Sequence, residues 1–89
     1  PKGLYILDEP EAALSPQRQL TFLAMIKDMV EEDCQFILAT HSPVLMALPG
    51  ATIISLDEQP PKAVEYDDLE HVRFLRDFLA APERFLRHL

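Results

Sequence analysis

Short apolar runs alternate with amphipathic stretches along the chain. The run Leu4–Leu7 is unbroken and ends at two acids, which is typical of a buried strand. From about Gln17 to about Glu32, apolar residues recur at helical spacing and predict an amphipathic helix. Further runs predict strands over Gln35–Ala39 and Thr52–Leu56. This order indicates an α/β fold, with parallel strands joined by right-handed crossovers and flanked by helices.

Prolines and polar residues mark the ends of these elements. Ser15 followed by Pro16 is typical of a helix start, with serine as the N-cap and proline at the first helical position. The remaining predicted elements are short. They are a helix over Pro43–Leu48, an edge strand over Ala63–Tyr66, a helix over Asp67–Ala80 and a last short helix opened by Pro82.

Three residues able to do chemistry follow the first two predicted strands. Asp8 and Glu9 come directly after the first strand, and His41 follows the second. In open α/β sheets, ligands bind beyond the carboxyl ends of the strands, so we expect these side chains at one sheet edge. An Asp8 carboxylate there can anchor Mg²⁺ beside phosphates. Glu9 points elsewhere if the backbone is extended, and can orient or deprotonate an attacking water. Alternatively, the two acids only cap the next loop.

The residues around this edge allow other interpretations. His41 can hydrogen-bond a terminal phosphate or hold the attacking water, although a lone histidine after a strand is more often structural. Ser42 is expected to cap the short helix that follows it. Small side chains dominate residues 12–15, Ala-Ala-Leu-Ser, which we call the small-residue loop. Such a loop either lets another surface come close or simply leads into the helix.

Composition narrows the function classes. The formal charge of −7 argues against a general nucleic-acid or anionic-membrane surface. Cys34 is the only cysteine, so the chain forms no internal disulfide, which suits a cytoplasmic protein. No apolar stretch is long enough to span a bilayer, and no signal-peptide pattern is present. The chain starts at Pro1 and enters a strand almost at once, so we expect a piece of a longer protein.

Together these segments resemble the C-terminal part of an ABC-type P-loop ATPase domain. Residues 4–10, Leu-Tyr-Ile-Leu-Asp-Glu-Pro, are similar to the Walker B strand with its catalytic glutamate. The small-residue loop resembles the D-loop, and His41 in Ala-Thr-His-Ser-Pro resembles the switch histidine. The tail over residues 77–86 resembles that of bacterial stand-alone predicted ATPases of the ABC/AAA type.

The resemblance implies ATP hydrolysis to ADP and phosphate by the parent protein. It assigns Mg²⁺ coordination to Asp8, the general base to Glu9 and γ-phosphate sensing to His41. It also implies a nucleotide-dependent homodimer, in which the D-loop contacts the opposing subunit. That contact set is Ala13, Leu14 and Ser15, although the D-loop often ends in Asp where this chain has Ser15.

The phosphate-gripping half of such a site is missing from the chain. Gly3 and Gly50 are its only glycines, so no Gly-x-x-x-x-Gly-Lys-Ser/Thr loop exists. In the family the strand before that loop lies between the strands that correspond to 35–39 and 52–56. We therefore expect a sheet with a gap that is rearranged or exposed, weak or no ATP binding by this chain alone, and a need for the N-terminal part of the same domain.

Two segments and two rival functions complete the prediction. Residues 1–57 run from the Walker B strand to the strand after the switch histidine, and residues 58–89 hold the edge strand and C-terminal helices. One rival is an ATPase of the DNA-repair or chromosome-maintenance type, whose parents usually carry coiled-coil insertions. The other is a non-catalytic interaction module that retains only the fold.

Overall fold

The computed structural model describes residues 3–89, which form short strands and helices in α/β order. The elements are β1 (Gly3–Asp8), α1 (Pro16–Glu31), β2 (Cys34–Ala39), β3 (Ile53–Ser55), β4 (Lys62–Val64), α2 (Glu70–Ala80) and α3 (Glu83–Leu86), with 3₁₀ helices at Leu45–Ala47 and Tyr66–Asp68. They group into two compact units, one ending at Ala51 and the other spanning Thr52–Leu89. The predicted segment boundary after residue 57 stays a prediction.

The first unit is a β–α–β arrangement around a parallel pair of strands. β1 pairs in parallel with β2, in a register that runs from Gly3 opposite Cys34 to Asp8 opposite Ala39. Helix α1 connects the two strands and packs against β2. The predicted strands, helix and parallel pairing are confirmed, and this α/β arrangement is consistent with the expected part of a P-loop NTPase domain.

Local signals explain where α1 begins. Ser15 has extended backbone (φ −66°, ψ 162°), and its Oγ accepts a hydrogen bond from the Arg18 N–H at 3.2 Å. Pro16 occupies the first helical position, as predicted. A cap of this kind contributes about 1 kcal/mol to helix stability.

The buried face of α1 differs from the simple apolar stripe of the sequence. Leu23 and Ile26 are buried and Phe22 and Met29 are half-buried, whereas Leu20 is exposed. Val30, an apolar residue that also lies at helical spacing, is exposed as well. The helix has more apolar residues than the face against β2 can cover, so spacing alone does not identify the packed side.

The prediction that β1 and β2 are fully buried is wrong. Leu4, Ile6 and Ile37 expose 56%, 70% and 50% of their surface. They share one face of the sheet, because side chains alternate along a strand and Ile6 lies opposite Ile37. Residues of the other face, such as Cys34 and Phe36, are buried or half-buried. One face of the sheet is therefore packed and the other is in contact with solvent.

The expected third strand does not join the parallel sheet. β3 pairs antiparallel with β4, with Ile53 opposite Val64, and the two form a separate sheet. Only six residues, 56–61, separate them, and a parallel pair needs a much longer crossover. β3 and β4 are also shorter than predicted, with three residues each.

Helices complete the second unit. The predicted helix over 67–80 divides into a 3₁₀ helix, Tyr66–Asp68, and α2. Phe74 and Phe78 of α2 stack with centroids 5.9 Å apart, and Phe85 of α3 meets Phe74 edge-on at 5.5 Å. No helix within the described part of the chain has the length and apolar content needed to cross a bilayer.

Candidate functional site

The acid pair and His41 leave neighbouring strands at the same edge of the parallel sheet. Asp8 is the last residue of β1 and lies opposite Ala39, the last residue of β2. The next residue continues the pairing, because the Glu9 N–H donates to the Ala39 carbonyl at 2.7 Å. His41 follows Ala39 by two residues. The predicted shared edge is thus present in the structure.

The backbone at Glu9 is left-handed. Its φ is 47°, so the expected extended conformation at this residue is wrong. Glu9 is where the chain leaves β1, and the following Pro10 already belongs to a turn. A residue before proline is biased towards extended backbone, so Pro10 does not account for the left-handed conformation of Glu9. Glu9 and Asp8 are both exposed, so both carboxylates are open to a ligand.

The donor chemistry of this edge is compatible with Mg²⁺. Among residues 3–89, no group of three or more His, Cys, Asp or Glu side chains is arranged to hold a metal ion. Mg²⁺ beside phosphates does not need such a group, because it often keeps several waters and takes only one or two carboxylates from the protein. The exposed Asp8 carboxylate meets that requirement, whereas a caged metal centre is not supported.

Glu11 holds the main chain of His41, a contact that no sequence pattern predicted. The His41 N–H donates to Glu11 Oε2 at 3.4 Å. The other carboxylate oxygen, Oε1, is buried and has no hydrogen-bond partner among the described residues. Such an unsatisfied buried oxygen is unusual, because most buried polar atoms are paired. The Glu11 side chain thus joins the turn after Asp8 and Glu9 to the chain around His41.

Ser42 makes several hydrogen bonds within the segment Thr40–Val44, which we call the histidine loop. Only 5% of its surface is exposed. Its Oγ accepts from the N–H groups of Val44 at 3.2 Å and Leu45 at 3.1 Å, and its own N–H donates to Thr40 Oγ1 at 2.9 Å. The Ser42 side chain thus holds the turn that leads into the 3₁₀ helix Leu45–Ala47, but the N-cap position of that helix is Val44, and the helix is shorter than predicted.

Gln19 links the two loops. Its Nε2 donates to the Leu14 carbonyl at 3.1 Å, and its Oε1 accepts from the Ser42 hydroxyl. Sequence reasoning missed this residue, but a signal existed. Leu14 precedes the N-cap and Gln19 is the fourth helical residue, positions that usually carry a hydrophobic contact. A glutamine on that half-buried face therefore indicated a polar contact.

The small-residue loop is built from successive turns. The Ala12 N–H donates to the Glu9 carbonyl at 3.2 Å, and the Leu14 N–H donates to the Glu11 carbonyl at 2.9 Å. Ala13 and Ser15 are exposed, whereas Leu14 is half-buried. The loop thus presents small side chains to solvent beside the acid pair.

Comparison with known protein families identifies the chain. Residues 1–47 match the family model described as "AAA domain, putative AbiEii toxin, Type IV TA system". The chain belongs to this AAA-domain family. The match covers β1, α1 and β2 and therefore the whole candidate edge, so that edge belongs to a domain of the ABC/AAA type.

Two curated relatives extend the comparison of this AAA-domain chain. An uncharacterized ABC transporter ATP-binding protein of Haemophilus influenzae is 30% identical over 90 residues, covering 97% of the chain and 34% of that protein. The OLD nuclease of Thermus scotoductus is 44% identical over 43 residues, covering 47% of the chain and 8% of the nuclease. The chain thus spans about a third of the first relative and a smaller share of the second. No solved structure matches it.

Proposed function

We propose that this chain supplies the water-activating half of an ATP-hydrolysing site. In this proposal Asp8 holds Mg²⁺, Glu9 is the general base and His41 contacts the γ-phosphate. The observation that carries it is the shared edge, where the Glu9 N–H bonds the Ala39 carbonyl and Glu11 holds the His41 main chain. ATP is the substrate, which agrees with membership of an ATPase family.

The chemistry assigned to these residues is proton transfer and orientation. Water attacks the γ-phosphorus of ATP, the bond from that phosphorus to the β–γ bridging oxygen breaks, and ADP leaves. Glu9 takes the proton that the water loses. The His41 imidazole hydrogen-bonds the transferred phosphoryl group. Mg²⁺, when bound, neutralises charge on the phosphate oxygens.

The rest of the site comes from polypeptide outside these 89 residues. A phosphate loop there would grip the triphosphate, since the two glycines of this chain cannot form one. Ala13, Leu14 and Ser15 would face the opposing subunit of a nucleotide-dependent homodimer. The exposure of Ala13 and Ser15 supports such a contact. ATP binding by the chain alone should accordingly be weak or absent.

The base assignment is tested by Glu9→Gln in the intact ATPase. Turnover should fall on the order of 10²–10⁴-fold, because a positioned general base is lost. Binding of MgATP should persist, because the glutamine keeps the shape of the side chain. Phosphate release and nucleotide binding are the two measurements.

A matched control is Glu32→Gln, which removes an exposed carboxylate at the far end of α1. It should leave turnover unchanged. The isolated ¹⁵N-labelled chain provides a baseline, with no amide shifts expected at low micromolar ATP. Turnover at the wild-type level in Glu9→Gln would show that Glu9 is not the base.

A second candidate is an ATPase coupled to work on nucleic acid. The identity to the OLD nuclease, 44% over 43 residues, favours it. The formal charge of −7 means that nucleic acid would have to contact another part of that protein. Stimulation of ATP turnover by DNA would distinguish this candidate from an ATPase without nucleic-acid coupling.

A further inference from the structure

The Gln19 side chain joins two segments that are distant in sequence. Its amide nitrogen donates to the Leu14 carbonyl in the small-residue loop, and its amide oxygen accepts from Ser42 in the histidine loop. Only a side chain with both a donor and an acceptor at its tip can make this pair of bonds, and a carboxylate or an alkyl group of similar size cannot.

The histidine loop is held at His41 and on its C-terminal side. On the C-terminal side, Ser42 bonds Gln19 and the N–H groups of Val44 and Leu45. At His41 itself, the main-chain N–H donates to Glu11. A movement of Leu14 in the small-residue loop therefore reaches Ser42, the residue after His41, through the Gln19 side chain.

Helix α1 does not depend on Gln19 for its own stability. Its start is capped by Ser15, and its packing rests on the buried residues Leu23 and Ile26. The turn after His41 is closed by Ser42 bonds that do not involve Gln19. Loss of the Gln19 amide should thus leave the fold in place and remove one of two links between the loops, with the Glu11 bond to the His41 main chain as the other.

We propose that Gln19 is a positioning residue that sets the small-residue loop and the histidine loop together. It does not touch ATP. It sets the position of His41 when an opposing subunit contacts Ala13–Ser15. The contact between subunits and the contact of His41 with the γ-phosphate therefore change together. The proposal rests on the function proposed above, because it takes His41 as the γ-phosphate contact.

The test compares Gln19→Leu with Gln17→Leu in the intact ATPase. Gln17 lies two residues earlier in the same helix and is exposed, so it controls for loss of a glutamine from the first turn. For Gln19→Leu we expect kcat to fall on the order of 10- to 100-fold, since small displacements of positioned groups are costly. KM for ATP should change less than about twofold, because the phosphate grip is elsewhere. Gln17→Leu should match the wild type in both constants.

Two further variants separate positioning from folding. Gln19→Glu keeps an acceptor for Ser42 but loses the donor to Leu14, so kcat should also fall if the link is needed. Ser42→Ala combined with Gln19→Leu should lower kcat by less than the product of the single effects, because each substitution removes the bond that the two residues share. If Gln19→Leu does not fold, the kcat of Gln19→Glu tests the proposal instead. Wild-type kcat in the folded variants, or fully multiplicative effects, would overturn the proposal.

A structural readout distinguishes failure of this proposal from failure of the proposed function. In ¹⁵N-labelled protein, Gln19→Leu should shift the amide signals of Ser15 and Leu45 together, and Gln17→Leu should shift neither. Shifts with unchanged kcat, while Glu9→Gln is inactive, would reject only the positioning role. Wild-type turnover in Glu9→Gln would reject the proposed function, and unshifted amides would reject the link itself.

Discussion

Glu9 combines an exposed carboxylate at the candidate site with a backbone that few non-glycine residues adopt. Its φ of 47° places Cβ close to neighbouring main-chain atoms, which costs about 1–2 kcal/mol for an L-residue. The surrounding bonds hold it there, including the one from its N–H to Ala39. Strained residues of this kind cluster at functional sites. The strain at Glu9 is therefore a stability cost at the residue proposed as the base.

Comparison of Glu9→Gly with Glu9→Ala isolates that cost. Both remove the carboxylate, but only glycine adopts positive φ freely. The free energy of unfolding, measured by urea denaturation, should be about 1 kcal/mol higher for the glycine variant than for the alanine variant. The same pair at Glu32, where φ is −100°, should show no advantage for glycine. Equal stabilities of the two Glu9 variants would mean that the left-handed backbone is not populated.

The residue scale also shows what a sequence can and cannot reveal about a site. Asp8, Glu9 and His41 could be predicted because each follows an apolar run, and the strand pairing then brings them together. Glu11 could not, because its bond to the His41 main chain depends on how two loops fold. Gln19 left only an indirect signal, a polar group on a half-buried helix face.

At the scale of elements, α1 has a well-matched start and a poorly matched end. Glu31, Glu32 and Asp33 put three acids where the helix dipole favours cations. Asp33 also has a φ of 69°, the left-handed conformation usually taken by glycine after a helix. The Lys27–Glu31 pair, at 3.5 Å and exposed, offsets little of this.

Asp33→Gly should stabilise the chain by about 1 kcal/mol, because it relieves the left-handed backbone and removes a negative charge near the helix end. Thermal and urea unfolding both measure the change. Asp28→Gly, an exposed position inside the same helix, should instead lower stability by some tenths of a kcal/mol. A loss of stability in Asp33→Gly would show that the Asp33 side chain makes a contact whose stabilisation exceeds the strain that glycine removes.

Strand partners were harder to predict than strands. β1 and β2 are long enough for their pairing and connecting helix to be recognised. β3 has apolar β-branched residues that suit a buried parallel strand as well as a hairpin, and the short segment to β4 decides for the hairpin. The burial of β1 and β2 is not predictable for a related reason. An unbroken apolar run indicates a strand covered on both faces, but it does not show which polypeptide covers them.

At the scale of the whole molecule, the bare face of the parallel sheet is the main departure from an ordinary domain. Leu4, Ile6 and Ile37 lie side by side on it with half or more of their surface exposed. Contiguous apolar surface of this kind marks contacts with other polypeptide or a tendency to associate. The first unit is therefore expected to self-associate through this face when it is isolated.

Ile6→Thr combined with Ile37→Thr should lower binding of the dye ANS by the isolated chain, because the exposed apolar surface shrinks while both residues keep a β-branched shape. Fluorescence titration and light scattering follow dye binding and association. Leu56→Thr, which removes an equally exposed leucine outside this face, serves as the control and should change neither. Unchanged dye binding in the double variant would show that the apolar surface that binds ANS lies elsewhere.

The aromatic pair formed by Tyr5 and Phe36 has a practical consequence. Their rings stack at 5.0 Å between centroids across the two parallel strands. The chain has no tryptophan and only one other tyrosine, Tyr66, which belongs to the second unit. A Tyr66→Phe protein would emit from Tyr5 alone, and a Tyr5→Phe protein from Tyr66 alone. Thermal unfolding curves of the two proteins would show whether the two units unfold together or one after the other, without any added label.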